Sequence, residues 1–278
     1  MAQITGAIMA NSTVQPSTGS IISKDGLNIG YTKFGNGPAV VIVHGSYSTQ
    51  NHWFQFASFL AATNTVYVYD RRGRGQSPDN ENLFSFQNEV DDLAAMIDIV
   101  GPGVSIIGHS YGGGITLSYI LQSGFKGHVV FYEPMNGIFR RVSQGLLPRL
   151  KALVAVEKLE EATVLTQTKI VGFEPAAVEA SKVRPSWGAF TKMTKIFLRE
   201  LEALDNLTPS ETQTDKIEAK TFLFLGTETP HGLRTATAAL AARVRGITMY
   251  PVNKQGHLAH MFDPEQLKDL VLYSLSQK

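Results

Sequence analysis

SIIGHSYGGG, residues 105–114, joins an apolar run to a glycine-rich segment and places Ser110 two residues from a glycine on each side. A Gly-x-Ser-x-Gly match is weak by itself, because both residue types are common. Its position makes it informative, since residues 103–108 are typical of a buried strand and residues 113–122 of a helix. A sharp strand-to-helix turn in that setting exposes the serine oxygen, which predicts that Ser110 is a nucleophile. The alternative interpretation is a small residue in a tight turn that begins a helix.

Short apolar segments recur along the chain on both sides of this stretch. Residues 20–35 carry an Asp-Gly pair between two half-alternating segments, which predicts a hairpin. The other segments that read as strands are residues 38–45, 64–70, 103–108, 127–134, 220–226 and 246–252. Helical segments separate most of them, and parallel strands need such crossovers. The pattern predicts an α/β fold with a mostly parallel eight-stranded sheet and helices on both faces.

One long segment interrupts this alternation. Residues 136–215 contain Leu- and Lys-rich helical stretches and no convincing strand, so we expect a helical cap inserted over one end of the sheet. Residues 20–135 and 216–278 would then form the core. Residues 1–19 are rich in Ser, Thr, Asn, Pro and Gly and are interpreted as a flexible leader.

The composition excludes several classes of function. The chain has 25 Lys and Arg residues against 24 Asp and Glu residues, so no basic field is available to bind nucleic acid. It has no cysteine, which rules out disulfides and thiolate metal sites. No apolar stretch reaches the roughly 18 residues that span a membrane, and the leader lacks a positive n-region. We therefore expect a soluble cytoplasmic protein without membrane association, either a monomer or a homodimer.

A serine nucleophile needs a base and oxyanion donors. His257 follows a glycine in a loop after the last predicted strand, and a late histidine fits the chain order of elbow-type folds. His260 is the competing histidine, and packing is its preferred interpretation. The backbone N–H groups of Tyr111 and Ser46 are the candidate donors, because one follows the nucleophile and the other lies after the third strand. No carboxylate lies at ligand spacing beside the two histidines, so no metal site is predicted.

Four motifs together resemble those of the α/β-hydrolase family. They are HGS at 44–46, YDRRGRGQSP at 69–78, GHSYGG at 108–113 and QGH at 255–257. The resemblance extends from about residue 20 to the C-terminus and implies the α/β-hydrolase fold, with the 69–78 motif serving as a structural turn. It also implies a serine carboxylesterase-like enzyme that forms an acyl-enzyme on a small-molecule ester, thioester or lactone without a cofactor. Haloalkane dehalogenases and epoxide hydrolases carry an aspartate nucleophile, so a serine at this position disfavours both.

The catalytic acid departs from the family pattern. Most members have an aspartate in a Gly-x-x-Asp turn after the seventh strand, but here that turn reads LGTETPHG and places Thr229 in the slot. A threonine cannot carry the negative charge that stabilises an imidazolium ion. Glu133, which ends the sixth predicted strand, is the favoured acid because a charge closing an apolar strand is costly without a role. Glu228 is the alternative acid, and the competing interpretation of Glu133 is a surface carboxylate.

Aromatic residues near the predicted site are candidates for substrate binding. Tyr47 and Trp53 follow the oxyanion turn, and Trp187 and Phe190 lie in the predicted cap. Some of these side chains should line an apolar pocket, although the cap aromatics are also spaced as packing residues of a helix.

Other functions stay open at this point. A cofactor-free perhydrolase or a C–C bond hydrolase would use the same three residues. A ligand-binding or receptor-like module on an impaired hydrolase scaffold is the alternative from another class, and the displaced acid is the feature that supports it. A nucleotide-binding enzyme is disfavoured, because no Gly-x-Gly-x-x-Gly follows a strand.

Overall fold

A computed structural model describes residues 15–80, 84–138, 141–207 and 211–277 of the chain. Eight strands of these residues form one sheet. The strands are β1 (Ser17–Ile22), β2 (Asn28–Phe34), β3 (Ala39–Val43), β4 (Thr65–Tyr69), β5 (Ser105–His109), β6 (His128–Tyr132), β7 (Lys220–Gly226) and β8 (Thr248–Val252). Each predicted strand segment therefore contains a strand.

The sheet has the order β1-β2-β4-β3-β5-β6-β7-β8. β1 pairs with β2, and β2 with β4, in antiparallel fashion, whereas the strands from β3 to β8 pair in parallel. The prediction of a mostly parallel eight-stranded sheet is confirmed. β1 begins earlier than expected, because Ser17 already pairs with Lys33. Residues 17–19 of the predicted leader thus belong to the sheet, and its residues 1–14 lie outside the described residues.

Helices cover both faces of the sheet, and alternate residues of each strand pack into two separate buried clusters, one on each face. Val41 and Val43 belong to one buried cluster, and Val40 and Ile42 to the other. The helices outside the cap are α1 (Phe54–Leu60), α2 (Phe86–Val100), α3 (Tyr111–Ser123), α10 (His231–Arg243), α11 (Ala259–Phe262) and α12 (Pro264–Ser276). α2, α3 and α10 contribute to the first cluster, and α1 and α12 contribute to the second.

The described residues of the segment predicted as a cap contain helices joined by short turns and no strand. It contains α4 (Leu147–Ala155), α5 (Leu159–Leu165), α6 (Pro175–Ser181), α7 (Trp187–Lys192), α8 (Thr194–Asp205), α9 (Glu211–Thr214) and a π-helical segment, Thr166–Val171. α8 holds the cap on the core, since its Phe197, Leu201 and Leu204 join the first buried cluster. Within the described ranges, no helix combines the length and apolar character needed to cross a bilayer.

Candidate active site

Ser110 lies at a strained turn between β5 and α3. Its backbone has φ 55° and ψ −123°, a conformation that residues other than glycine rarely adopt. Three hydrogen bonds hold the turn. The Ser110 N–H donates to the Tyr132 carbonyl at 3.1 Å, and the Ser110 carbonyl accepts from the N–H groups of Gly113 and Met135, each at 2.9 Å. Strain maintained in this way is typical of functional sites.

Two glycines let other backbone segments approach this turn. A Cβ on Gly112 would lie 2.1 Å from the carbonyl oxygen of Val43, so only glycine allows α3 to begin so close to β3. A Cβ on Gly45 would lie 2.7 Å from the Ser110 Cβ and 3.2 Å from its Oγ. The loop that carries Ser46 therefore runs directly against the candidate nucleophile.

His257 and Glu133 form a buried pair. The His257 Nδ1 donates to the Glu133 Oε2 at 2.7 Å, and the Glu133 side chain is fully buried at the end of β6. The other carboxylate oxygen accepts from the Gly226 N–H at 2.8 Å and from the Thr229 hydroxyl. A buried carboxylate with three donors is well compensated for the loss of water. Thr229, which the sequence places in the expected slot of the acid, thus binds a carboxylate that comes from the neighbouring strand.

Glu228 does not take part in this pair. Its side chain is exposed, and its backbone N–H donates to the Gln255 carbonyl at 2.9 Å. Of the two carboxylates that the sequence offered, the structure brings only Glu133 to His257.

The loop that carries His257 is tied to the residue before Ser110. The ring of His109 lies 4.5 Å from the ring of His257, and its Nε2 donates to the His257 carbonyl at 2.9 Å. Burial, reinforced by the neighbouring His257 and His260, lowers the pKa of His109 well below its ordinary value. The His109 ring is therefore neutral and serves to hold the His257 loop in place. Ser110 Oγ and His257 form no hydrogen bond within the described structure, and catalytic hydrogen bonds are often long before substrate binds. Their pairing is therefore a proposal.

The candidate oxyanion donors flank Ser110. Tyr111 is the first residue of α3, where a helix leaves its N–H groups without intrahelical partners. Ser46 follows Gly45, whose backbone contacts Ser110. Among the described residues neither the Tyr111 N–H nor the Ser46 N–H has a hydrogen-bond partner.

Tyr47 connects the loop that carries Ser46 to the cap. Its ring stacks on Phe190 at 4.6 Å, and its hydroxyl hydrogen-bonds with Thr166 and Thr194, each at 2.9 Å. Burial raises the pKa of Tyr47 to about 12, so the phenol stays neutral. Phe190 in turn stacks on Trp187 at 5.7 Å. Three of the four predicted substrate-binding aromatics therefore form one row from the site loop into the cap.

Trp53 does not join this row, which corrects its predicted role. It ends a 3-10 turn, Gln50–Trp53, that leads into α1, and this turn directs it into the second core cluster. There it is fully buried and stacks on His260 at 4.1 Å. Trp53 is therefore a core residue and not part of a substrate pocket. Burial lowers the pKa of His260 well below its ordinary value, in keeping with the interpretation of this histidine as a packing residue.

The structure adds a buried ionic cluster that the sequence did not reveal. Glu200 on α8 pairs through its Oε1 with Arg71 and Arg74, which follow β4. Burial alone would raise the pKa of Glu200, yet these two guanidinium groups hold it below its ordinary value. One signal was present in the sequence, because Glu200 lies among Phe197, Leu201 and Leu204 on the buried face of α8. Within the described ranges, no three His, Cys, Asp or Glu side chains are grouped as metal ligands.

Comparison with known proteins agrees with the fold. The model of the alpha/beta hydrolase family matches residues 40–270. A crystal structure of an alpha/beta hydrolase from Sphaerobacter thermophilus is similar to this chain with a TM-score of 0.82 and 26% sequence identity. That likeness covers 93% of this chain and 100% of the other.

Curated relatives match a shorter segment. A bifunctional esterase/perhydrolase of Acinetobacter calcoaceticus is 32% identical over 108 residues, which cover 37% of this chain and 39% of the relative. A cis-3-alkyl-4-alkyloxetan-2-one decarboxylase of Shewanella oneidensis is 31% identical over 112 residues, which cover 38% and 35%. The match spans about a third of the length of the curated relatives.

Proposed function

This chain belongs to the alpha/beta hydrolase family, and from that premise we propose that it is a serine hydrolase that cleaves a small or medium carboxylic ester, thioester or lactone. Ser110 is the nucleophile, His257 the base and Glu133 the acid that orients the base. The substrate is a small molecule, and the reaction needs no cofactor.

The proposed reaction proceeds through an acyl-enzyme. His257 accepts the proton of the Ser110 hydroxyl as the oxygen attacks the substrate carbonyl carbon, and it then gives that proton to the leaving group. Water attacks the resulting ester, again with His257 as the base, which releases the acid and restores Ser110. In the neutral ring, a proton on Nδ1 that is donated to Glu133 leaves the other ring nitrogen as the acceptor of the serine proton.

Two backbone N–H groups stabilise the charge that develops on the carbonyl oxygen. Those of Ser46 and Tyr111 meet the chemical requirement, since both flank Ser110 and neither has a partner among the described residues. Removal of one such donor costs about 10²–10³ in kcat in comparable sites.

The contact between Glu133 and His257 carries the proposal. The displaced acid was the reason to consider an impaired scaffold, but a buried carboxylate with three donors, one of them the histidine, supplies what Thr229 lacks. A pure binding module has no need for this pair beside a strained serine.

A perhydrolase activity is the second candidate, because one curated relative is named a bifunctional esterase/perhydrolase. Hydrogen peroxide would replace water in the attack on the acyl-enzyme, which yields a peracid and restores Ser110. The same three residues serve both reactions.

Burst kinetics with p-nitrophenyl acetate and butyrate test the proposal. We expect the wild-type protein and Ser123→Ala, an exposed serine at the end of α3, to release nitrophenol in a burst followed by steady turnover. Ser110→Ala should lose both phases. Equal slow turnover in the wild type and Ser110→Ala would favour the binding-module alternative. Addition of hydrogen peroxide to the wild type, with detection of peracid, tests the second candidate.

A further inference from the structure

Arg71 has no role in the reaction just described, yet its guanidinium contacts the loop that carries Ser46. It is fully buried after the end of β4. Its Nη1 donates to the carbonyl of Gly45 at 3.1 Å, and its Nε donates to Glu89 at 3.1 Å. Its Nη2 binds Glu200, on the cap. One side chain thus contacts the loop that carries Ser46, helix α2 and the cap.

The contact with Gly45 fixes the direction of the Ser46 N–H. The Gly45 carbonyl and the Ser46 N–H belong to one trans peptide, so they point in opposite directions. A second donor holds the same carbonyl, since the His44 Nδ1 lies 2.9 Å from it. A peptide whose carbonyl accepts two hydrogen bonds is locked in orientation, and its N–H becomes a stronger donor through polarisation.

His44 keeps its proton on the required nitrogen. Its Nε2 accepts from the Arg71 backbone N–H at 3.2 Å, which leaves Nδ1 as the donor. Burial, together with the charges of Arg71 and Arg74, lowers the pKa of His44 well below its ordinary value, so the ring stays neutral.

Arg71 also supports the residue that carries the second donor. Its guanidinium lies 4.3 Å from the centre of the Tyr111 ring, a cation–π contact. The Tyr111 hydroxyl donates to Glu89 at 2.5 Å, and Glu89 pairs with Arg71 at 2.9 Å. Arg71 therefore touches the segments that present both candidate oxyanion donors.

Glu200 makes this arrangement depend on the cap. Two buried arginines, Arg71 and Arg74, are balanced by two buried carboxylates, Glu89 and Glu200. Of these four residues Glu200 alone comes from the cap, and without its charge two buried cations would face one carboxylate. Such an uncompensated charge drives rearrangement or partial solvation of the cluster.

We propose that Arg71 is a positioning residue for the oxyanion hole and that Glu200 couples its position to the docking of cap helix α8. The proposal rests on the proposed function. The hole is fully formed only when α8 is seated, so the cap contributes to transition-state stabilisation as well as to substrate binding.

Glu200→Gln and Arg71→Lys test the coupling, with Glu202→Gln as the matched control on the same helix. Glu202 is half exposed and pairs only with Lys151 at 2.8 Å in the described structure. Lysine cannot reproduce the planar fork that reaches Gly45 and Glu200 together. We expect both test variants to lose about tenfold or more in kcat per titrated active site, with KM changed less than about threefold, since a misdirected donor costs part of the 10²–10³ of a lost one.

A trifluoromethyl ketone analogue of the substrate supplies the readout that a purely structural role would not move. Its oxygen occupies the oxyanion position in the serine adduct, so its inhibition constant should rise in step with the fall in kcat/KM, as expected for a lost transition-state contact. If Glu200→Gln does not fold, Glu200→Asp keeps the charge but shortens the reach. It should lower kcat/KM and raise the inhibition constant by at least about threefold each.

Unchanged inhibition constants and kcat per active site in the folded variants would overturn the coupling and leave the cluster as a structural support. That failure is distinct from failure of the proposed function, which Ser110→Ala reports in the same assay.

Discussion

Glu133→Gln is the substitution whose consequence follows most directly from the contacts of the site. The Oε1 of Glu133 accepts from the Gly226 N–H, which can only donate, and from the Thr229 hydroxyl. In the glutamine variant the amide oxygen must occupy that position, because the amide nitrogen would face the Gly226 N–H, which cannot accept. The amide nitrogen then occupies the Oε2 position, 2.7 Å from the His257 Nδ1.

This arrangement forces His257 into the wrong tautomer. Facing an N–H donor, Nδ1 must accept, so the proton of the neutral ring moves to the other nitrogen, which can then no longer take the proton of Ser110. The same exchange in a serine–histidine–carboxylate triad lowers kcat by about 10⁴. We expect a loss of about 10³–10⁴ here, with little change in KM, because neither residue is proposed to bind the substrate in its ground state.

The assay is hydrolysis of p-nitrophenyl butyrate, with active sites titrated and folding checked by thermal unfolding. Glu228→Gln is the control, since it changes an exposed carboxylate close to Thr229 in the chain and should stay within about twofold of the wild type. The assignment of the acid is refuted if Glu133→Gln keeps more than a third of the activity or if Glu228→Gln is the more damaged protein.

Three further predictions concern stability. Gly112→Ala should lower the free energy of unfolding by about 1–3 kcal/mol in urea titrations, because its Cβ would lie 2.1 Å from the Val43 carbonyl oxygen. Gly188→Ala, a helical glycine whose Cβ would meet nothing within 4 Å, should not destabilise the protein, and equal losses in both variants would contradict the packing argument. Trp53→Phe should lower the free energy of unfolding by about 1–3 kcal/mol and leave kcat/KM per active site within about threefold of the wild type. A rise in KM without a loss of stability would instead indicate that Trp53 contacts the substrate. The third prediction concerns His44, His109 and His260, whose pKa values burial holds well below their unfolded values. Because the unfolded chain therefore binds more protons, the contribution to stability should be complete above about pH 7 and fall towards about pH 5.5. A free energy of unfolding that does not change over this pH range would contradict the prediction.

The sheet could be predicted from sequence because its signals are local. Parallel strands buried on both faces read as continuous apolar runs, such as residues 38–45, and β3 lies within that run. The signal for the Ser110 turn was equally local, since the predicted strand, the glycines and the predicted helix all lie within residues 103–122. The start of β1 was predicted too late, because its pairing with β2 is not visible in its polar composition.

The features that the sequence left open or missed depend on contacts between distant parts of the chain. Which carboxylate reaches His257 is decided by the adjacency of β6 and β7, which brings Thr229 to Glu133 across 96 positions. The side of the sheet that Trp53 enters is set by one 3-10 turn before α1, a rotation that spacing does not reveal. Glu200 was conspicuous as a charge on an apolar helix face, but its partners lie 129 and 126 positions away.

Covalent labelling of the nucleophile tests the central pairing of Ser110 with His257 most directly. A fluorophosphonate probe should label the wild-type protein on the peptide that contains Ser110, and His257→Gln should slow that labelling by at least about 10², since the serine then lacks its base. Labelling on another residue, or an equal rate in wild type and His257→Gln, would contradict the proposed mechanism.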